Sequence, residues 1–142
     1  MNKDLFKLGG LNFHTVLLFT IPVIIGIKNE YYDISRGSML CIISGLFYHY
    51  TYIREFEILN KIVIILCGVY YFILGYTYTY YYLGSIMCAL TSITIYKTLA
   101  FSKYVIVFHS LIHAISSAGI SLLILGCSEN DECQSLKNIT FY

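Results

Sequence analysis

The four histidines of this sequence, His14, His49, His109 and His113, are its strongest candidates for chemistry. All four lie inside or at the edges of apolar segments, where an ionisable side chain is costly and commonly functional. His109 and His113 are four residues apart, so on a helix their imidazoles share one face and can bind one metal ion. This spacing is also compatible with hydrogen bonding between helices.

A third ligand from another helix would complete a catalytic type of zinc site, with water in the fourth position. His49 is the candidate for that ligand, because it lies near the end of a different apolar segment. His14 is close to the start of the first apolar segment, and we interpret it as solvated or hydrogen-bonded rather than as a ligand.

The elements that must position these residues are apolar. Of 142 residues, 58% are hydrophobic and 12% are charged, about half the charged fraction of a soluble domain. The composition predicts an all-α polytopic membrane helix bundle, forming one domain over 1–142 with a short external tail at 127–142. Five runs are of a length that can span a membrane: 11–27, 37–53, 58–75, 76–96 and 104–126.

Two alternatives affect this count. The first run has the features of a signal peptide, although it has no clear small-residue cleavage site before Lys28, so we interpret it as a retained helix. The third and fourth runs are almost continuous, and we expect a tight turn within 75–82, where tyrosines would lie at the headgroup level. Without that turn the count falls to four.

The distribution of Lys and Arg predicts that the N-terminus is cytosolic and the C-terminus external or lumenal. Six of these residues fall on the side of the N-terminus: Lys3, Lys7, Arg54, Lys61, Lys97 and Lys103. Three fall on the other side: Lys28, Arg36 and Lys137. All four histidines then lie in the inner half of the membrane.

The tail agrees with an external C-terminus. It holds Cys127 and Cys133, which are close enough to pair in an oxidising compartment, and an N-glycosylation sequon at Asn138. The remaining cysteines lie inside predicted spans, where we interpret them as small buried apolar residues: Cys41, Cys67 and Cys88.

Three short motifs resemble a superfamily of multi-helix membrane proteins that includes alkaline ceramidases, progestin and adiponectin receptors, lipid-remodelling proteins and the myomaker family. Residues 44–49 read Ser-Gly-Leu-Phe-Tyr-His, 57–59 read Glu-Ile-Leu, and 109–113 read His-Ser-Leu-Ile-His. The second and third are most similar to the myomaker branch. The superfamily has seven helices where five are predicted here, an Asp in place of Glu57, and its serine four residues before the histidine rather than five.

The resemblance implies a zinc ion held by His49, His109 and His113, and hydrolysis of a lipid amide or ester. Zinc would make a water available as nucleophile near neutral pH. Glu57 would act as general base, with Glu55 as an alternative, and Ser44 would hydrogen-bond the water or the developing oxyanion. Both acids adjoin Arg54 and Lys61, so ordinary interfacial charge pairing is the other interpretation.

Non-enzymatic function is the second hypothesis, and the myomaker resemblance favours it: a remodelling, fusion or receptor-like protein that uses the metal as a structural clasp. Small residues on the last helix would allow close helix packing: Ala114, Ser116, Ser117, Ala118, Gly119 and Ser121. A channel or transporter has little support, because no inverted repeat or membrane-embedded acidic relay is evident.

The expected partners are membrane lipids, in the plasma membrane or an endomembrane. A chain this small could complete a pocket as a homo-oligomer. A net charge of +1 and the lack of a basic run give no indication of a nucleic-acid partner.

Overall fold

The computed structural model describes residues 14–51, 53–78, 82–99 and 104–134, and within these ranges the regular structure is entirely helical. The prediction of an all-α fold is therefore confirmed. A 3₁₀ turn at Leu17–Phe19 leads into the first helix, and the helices are α1 Thr20–Lys28, α2 Tyr32–Thr51, α3 Arg54–Tyr78, α4 Tyr82–Leu99, α5 Val105–Ser128 and the short α6 Asp131–Gln134.

The N-terminal helical segment His14–Lys28 comprises the helical residues 14–16, the 3₁₀ turn and α1, and it packs against α2 and α5. Pro22 has no backbone N–H, so the Leu18 carbonyl lacks the donor that a regular helix would supply from residue 22. The Ser117 hydroxyl of α5 donates to that carbonyl over 2.8 Å. This hydrogen bond attaches the N-terminal segment to α5.

Hydrogen bonds from Tyr71 and Cys67 of α3 join this helix to α2. The Tyr71 hydroxyl donates to the Ile34 carbonyl over 3.1 Å and lies 3.4 Å from the Ser38 hydroxyl. The Cys67 thiol donates to the Gly37 carbonyl. Because Ser, Cys and Gly occupy little volume, the two helices approach closely, as is common where helices pack in a membrane.

The C-terminal half of α5 supplies much of the core through Ile120, Leu123 and Ile124, which are all buried. Near its end the Tyr31 hydroxyl donates to the Cys127 carbonyl over 2.6 Å. Cys127 and Cys133 form a disulfide that ties α6 back to α5, with Cα atoms 5.2 Å apart. The sequon at Asn138 lies outside the described residues.

Two helices are long and apolar enough to cross a membrane, over Arg54–Thr77 and Val107–Ser128, and His14–Lys28 is a shorter apolar helix. α2 is less apolar because it carries Asp33, Arg36 and three serines. The described part of the chain thus has five helices of nine residues or more. That all five span a membrane, and in which direction, stays a prediction.

The boundary between the third and fourth helices lies beyond Gly75. α3 continues to Tyr78 and α4 begins at Tyr82, so Gly75 is helical and buried. The Thr77 hydroxyl donates to the Ile73 carbonyl over 2.9 Å, one turn back in the same helix. The two runs therefore form separate helices, and residues 79–81 lie outside the described ranges.

Candidate metal centre

Three histidines from two helices converge at one end of the bundle. His49 lies in the last turn of α2, and His109 and His113 lie on one face of the first half of α5. Each offers a ring nitrogen, and the three nitrogens lie within 4.8 Å of one another. The centroids of the rings are 4.9 Å apart for His49 and His109, 5.6 Å for His49 and His113, and 4.7 Å for the pair on α5.

These distances allow one metal ion to bind all three rings. Zinc–nitrogen bonds of about 2.0–2.1 Å place two ligand nitrogens a little over 3 Å apart, so small side-chain rotations would close the present separations. The predicted convergence of His49, His109 and His113 is therefore confirmed. Zinc as the identity of the ion remains a prediction.

Burial supports a bound ion at this place. His49 is 5% exposed and His113 is 8% exposed. The Nε2 atom of His49 is buried, and the part of the chain that the structure describes gives it no hydrogen-bond partner. An unsatisfied buried nitrogen is unfavourable, by about 1–3 kcal/mol, whereas coordination to a metal would satisfy it. The donor set, three imidazoles, also suits zinc.

The N-terminal segment forms one wall of the centre. The Thr15 hydroxyl lies 3.0 Å from Nδ1 of His113. The Phe19 ring contacts the His113 ring edge-on, with centroids 6.1 Å apart. Val16 is buried against Gly45 of α2. Three residues that precede α1 therefore contact the metal centre or the helix that carries His49.

The acidic residues predicted for catalysis lie at the start of α3. Glu57 accepts a 2.6 Å hydrogen bond from Lys61, one turn along the helix, and both side chains are partly exposed. Glu55 is exposed in the same turn. Within the described ranges, the group of side chains close enough to share a metal comprises the three histidines and neither acid. The ion pair matches the alternative interpretation of Glu57, and its catalytic role stays a prediction.

Ser44, the other predicted catalytic residue, is buried between α2 and α3. Its hydroxyl donates to the Asn60 side-chain oxygen over 2.9 Å and lies 3.4 Å from the Cys41 carbonyl. Asn60 is itself buried. Ser44 thus contributes to the packing of the two helices, and its proposed contact with a reacting oxygen stays a prediction.

Two polar residues that contact predicted site residues were not singled out from the sequence: Thr15, which contacts His113, and Asn60, which contacts Ser44. Asn60 has a signal that could have identified it: an amide inside an apolar run, three residues after Glu57. Thr15 has none, because its contact with His113 joins residues 98 positions apart. His14 lies beside Thr15, is exposed, and is not part of the histidine group.

Comparisons with protein-family models, with curated proteins and with solved structures give no match to this chain.

Proposed function

We propose that this chain is a multi-pass membrane protein that binds zinc through His49, His109 and His113 near the cytosolic leaflet and hydrolyses a lipid amide or ester. The observation that carries the proposal is the convergence of three largely buried imidazoles from two helices. The motif resemblance to the membrane hydrolase superfamily gives the same three histidines as ligands and supplies the substrate class.

The surface of α3 supports membrane insertion. Only 17% of its apolar window is buried within the protein. Its outward-facing side chains include Ile62, Ile65, Leu66 and Ile73, each about half exposed or more. The core helix of a soluble protein would bury such residues, whereas a continuous apolar face of this length is stable in lipid.

The chemistry assigned to the centre follows from its ligands. His49, His109 and His113 would hold the ion through neutral imidazoles, and a zinc ion held there would supply Lewis-acid activation of a water near neutral pH. α2 ends and α3 begins at the same end of the bundle, which places Glu57 at the end where His49 lies. Glu57 is assigned the role of general base, after release from Lys61, and Ser44 the role of oxyanion donor.

A structural clasp is the second candidate function. Glu57 is paired with Lys61 and Ser44 is bonded to Asn60, so both residues assigned to chemistry already have local roles. A metal bound to the three histidines would then serve to hold α2 against α5 in a protein for membrane remodelling or fusion. Both candidate functions require the bound metal, and only the hydrolase predicts turnover of a lipid substrate.

Metal content of the purified protein tests the shared part. Wild-type protein should carry about one zinc per chain by inductively coupled plasma mass spectrometry, and the His109→Ala/His113→Ala double variant should carry none. His14→Ala is the matched control, because it removes an exposed histidine outside the group. Equal zinc in the wild type and the double variant would overturn both candidate functions.

Turnover of lipid probes separates the two candidates. Wild-type protein in vesicles should release fatty acid from a fluorescent N-acyl amide lipid or acyl ester lipid, and Glu57→Gln should abolish the release while zinc is retained. Turnover that survives in Glu57→Gln removes Glu57 from the mechanism. A zinc-loaded wild type without turnover of either probe favours the clasp.

A further inference from the structure

The contact between Thr15 and His113 involves Nδ1, one of the two nitrogens of the His113 ring. A histidine binds a metal through one ring nitrogen, and the partner of the other nitrogen fixes the tautomer and the orientation of the ring. Thr15 lies 3.0 Å from Nδ1 of His113. A proton on Nδ1 would be donated to the Thr15 hydroxyl oxygen, which leaves the Nε2 lone pair of His113 for the metal.

The position of Thr15 is held from three directions. Val16, the next residue, is 1% exposed and packs against Gly45. Phe19 contacts the His113 ring itself. One turn further along α5, Ser117 donates to the Leu18 carbonyl. The hydroxyl of Thr15 is therefore set on a segment that packs against both α2 and α5.

We propose that Thr15 is a positioning residue of the metal centre, which holds His113 in the tautomer and orientation that present Nε2 to the ion. The inference rests on the proposed metal site and adds the N-terminal segment to it. The segment before α1 then acts as an outer layer of the centre, in addition to anchoring the N-terminus.

Titration of the metal-free protein with Co²⁺ tests this role, because Co²⁺ replaces zinc at such sites and has visible d–d absorption. Thr15→Val keeps the shape of the side chain and removes the hydroxyl. We expect it to weaken Co²⁺ binding by about 10- to 100-fold, the usual effect of losing an outer partner of a metal-bound histidine. Thr15→Ser, which restores a hydroxyl, should return most of the affinity.

Ser117→Ala is the matched control. It removes a hydrogen bond between the same segment and α5, one turn away from His113, and leaves the Thr15 contact intact. We expect a smaller loss of Co²⁺ affinity than in Thr15→Val and an unchanged absorption spectrum, because Val16 and Phe19 still hold the segment. Equal weakening in Thr15→Val and Ser117→Ala would overturn the positioning role, since it would indicate general loosening of the segment.

The failure of this inference is distinct from the failure of the metal site. If the wild-type protein does not bind Co²⁺, both the proposed metal site and the proposed role of Thr15 are overturned. Wild-type protein that binds Co²⁺, together with a Thr15→Val variant of the same affinity and spectrum, would overturn the role of Thr15 alone.

Discussion

At the scale of single residues, the centre holds a buried nitrogen whose missing hydrogen bond is unfavourable for folding. The same nitrogen belongs to a set of three imidazoles that could bind a metal ion, and that bond would satisfy it. Nε2 of His49 is buried, and no described residue forms a hydrogen bond with it. Two further imidazoles lie close enough to share a metal with it, and no carboxylate of the described residues belongs to that group. The energetic effect of His49 should therefore change sign with the metal, which gives a test that needs no substrate.

His49→Leu should stabilise the metal-free protein and destabilise the metal-loaded protein. Leucine is close in size to histidine and removes the unsatisfied nitrogen, so in the presence of a chelator the free energy of unfolding should rise by about 1–3 kcal/mol. With excess zinc the wild type gains the linked binding energy and the variant does not. Thermal unfolding in detergent, with chelator and with zinc, measures both.

His14→Leu is the control for that experiment, and its zinc-dependent increase in melting temperature should equal that of the wild type. The prediction for His49 is contradicted if His49→Leu lowers the melting temperature in chelator, or if zinc raises the melting temperature of the variant as much as that of the wild type.

The buried pair of Ser44 and Asn60 gives a second residue-scale prediction. Their 2.9 Å hydrogen bond joins α2 to α3. Single alanine substitutions at either position should destabilise the protein, and the double variant should lose less than the sum of the two. We expect a coupling energy of about 0.5–1.5 kcal/mol from unfolding in denaturant. A coupling of zero would show that the two side chains do not interact in the folded protein.

The same variants separate packing from chemistry at Ser44. If Ser44 acts only through Asn60, Ser44→Ala and Asn60→Ala should affect lipid turnover equally at equal zinc content. If the Ser44 hydroxyl binds the developing oxyanion, Ser44→Ala alone should give the larger loss, of about 100-fold or more, which is typical for removal of one such donor.

At the scale of the helices, the N-terminal segment packs closely on α2 at a glycine, Gly45. A Cβ atom added at Gly45 would lie 3.2 Å from both methyl groups of Val16, tighter than ordinary van der Waals contact. Gly45→Leu should therefore displace the segment and cost about 1–3 kcal/mol. Because Thr15 adjoins Val16, the variant should also bind Co²⁺ more weakly. Thermal unfolding and Co²⁺ titration measure the two effects.

Gly68 is the matched control for Gly45. It lies inside α3 with no atom within 4 Å of an added Cβ. Gly68→Ala should be neutral or stabilising by up to about 1 kcal/mol, because alanine favours a helix interior, and it should leave Co²⁺ affinity unchanged. A Gly45→Leu variant as stable as Gly68→Ala would show that the segment does not pack on α2 as described.

The helices and the histidine group could be predicted from the sequence for different reasons. Apolar runs of about 20 residues predict helices directly, because backbone polar groups in lipid must pair within their own segment. The convergence of His49 with His109 and His113 was expected from depth, because in the predicted topology the alternating helix directions bring the end of the second helix and the start of the fifth to one leaflet.

The remaining features depend on contacts between distant parts of the chain. The hydrogen bond between Thr15 and His113 and the one between Ser117 and the Leu18 carbonyl link segments about 100 residues apart. Hydropathy carries no information about such pairs. The continuation of α3 past Gly75 to Tyr78 depends on local helical bonding, which overrides the turn preference of a glycine beside tyrosines.

At the scale of the whole molecule, the two ends of the bundle differ in chemistry. One end holds the histidines and the charged first turn of α3, with Arg54, Glu55 and Glu57. The other end holds the disulfide between Cys127 and Cys133. There the hydroxyl of Tyr31, which lies in the connection between α1 and α2, donates to the Cys127 carbonyl. The disulfide indicates an oxidising compartment, so the opposite end, with the metal centre, should face the cytosol.

Labelling of single introduced cysteines with a membrane-impermeant maleimide tests this orientation in intact cells. In a background with Cys127 and Cys133 replaced by alanine, Lys28→Cys should be labelled from outside. Lys28 ends α1, at the end of the bundle that holds the disulfide. Arg54→Cys, at the start of α3, should be labelled only after the membrane is permeabilised. Both lysine and arginine side chains are exposed in the structure, so a lack of labelling at Arg54→Cys reports the membrane rather than burial. Labelling of both new cysteines from the same side would contradict the crossing of α2, and labelling of Arg54→Cys from outside with Lys28→Cys protected would place the metal centre in the outer leaflet.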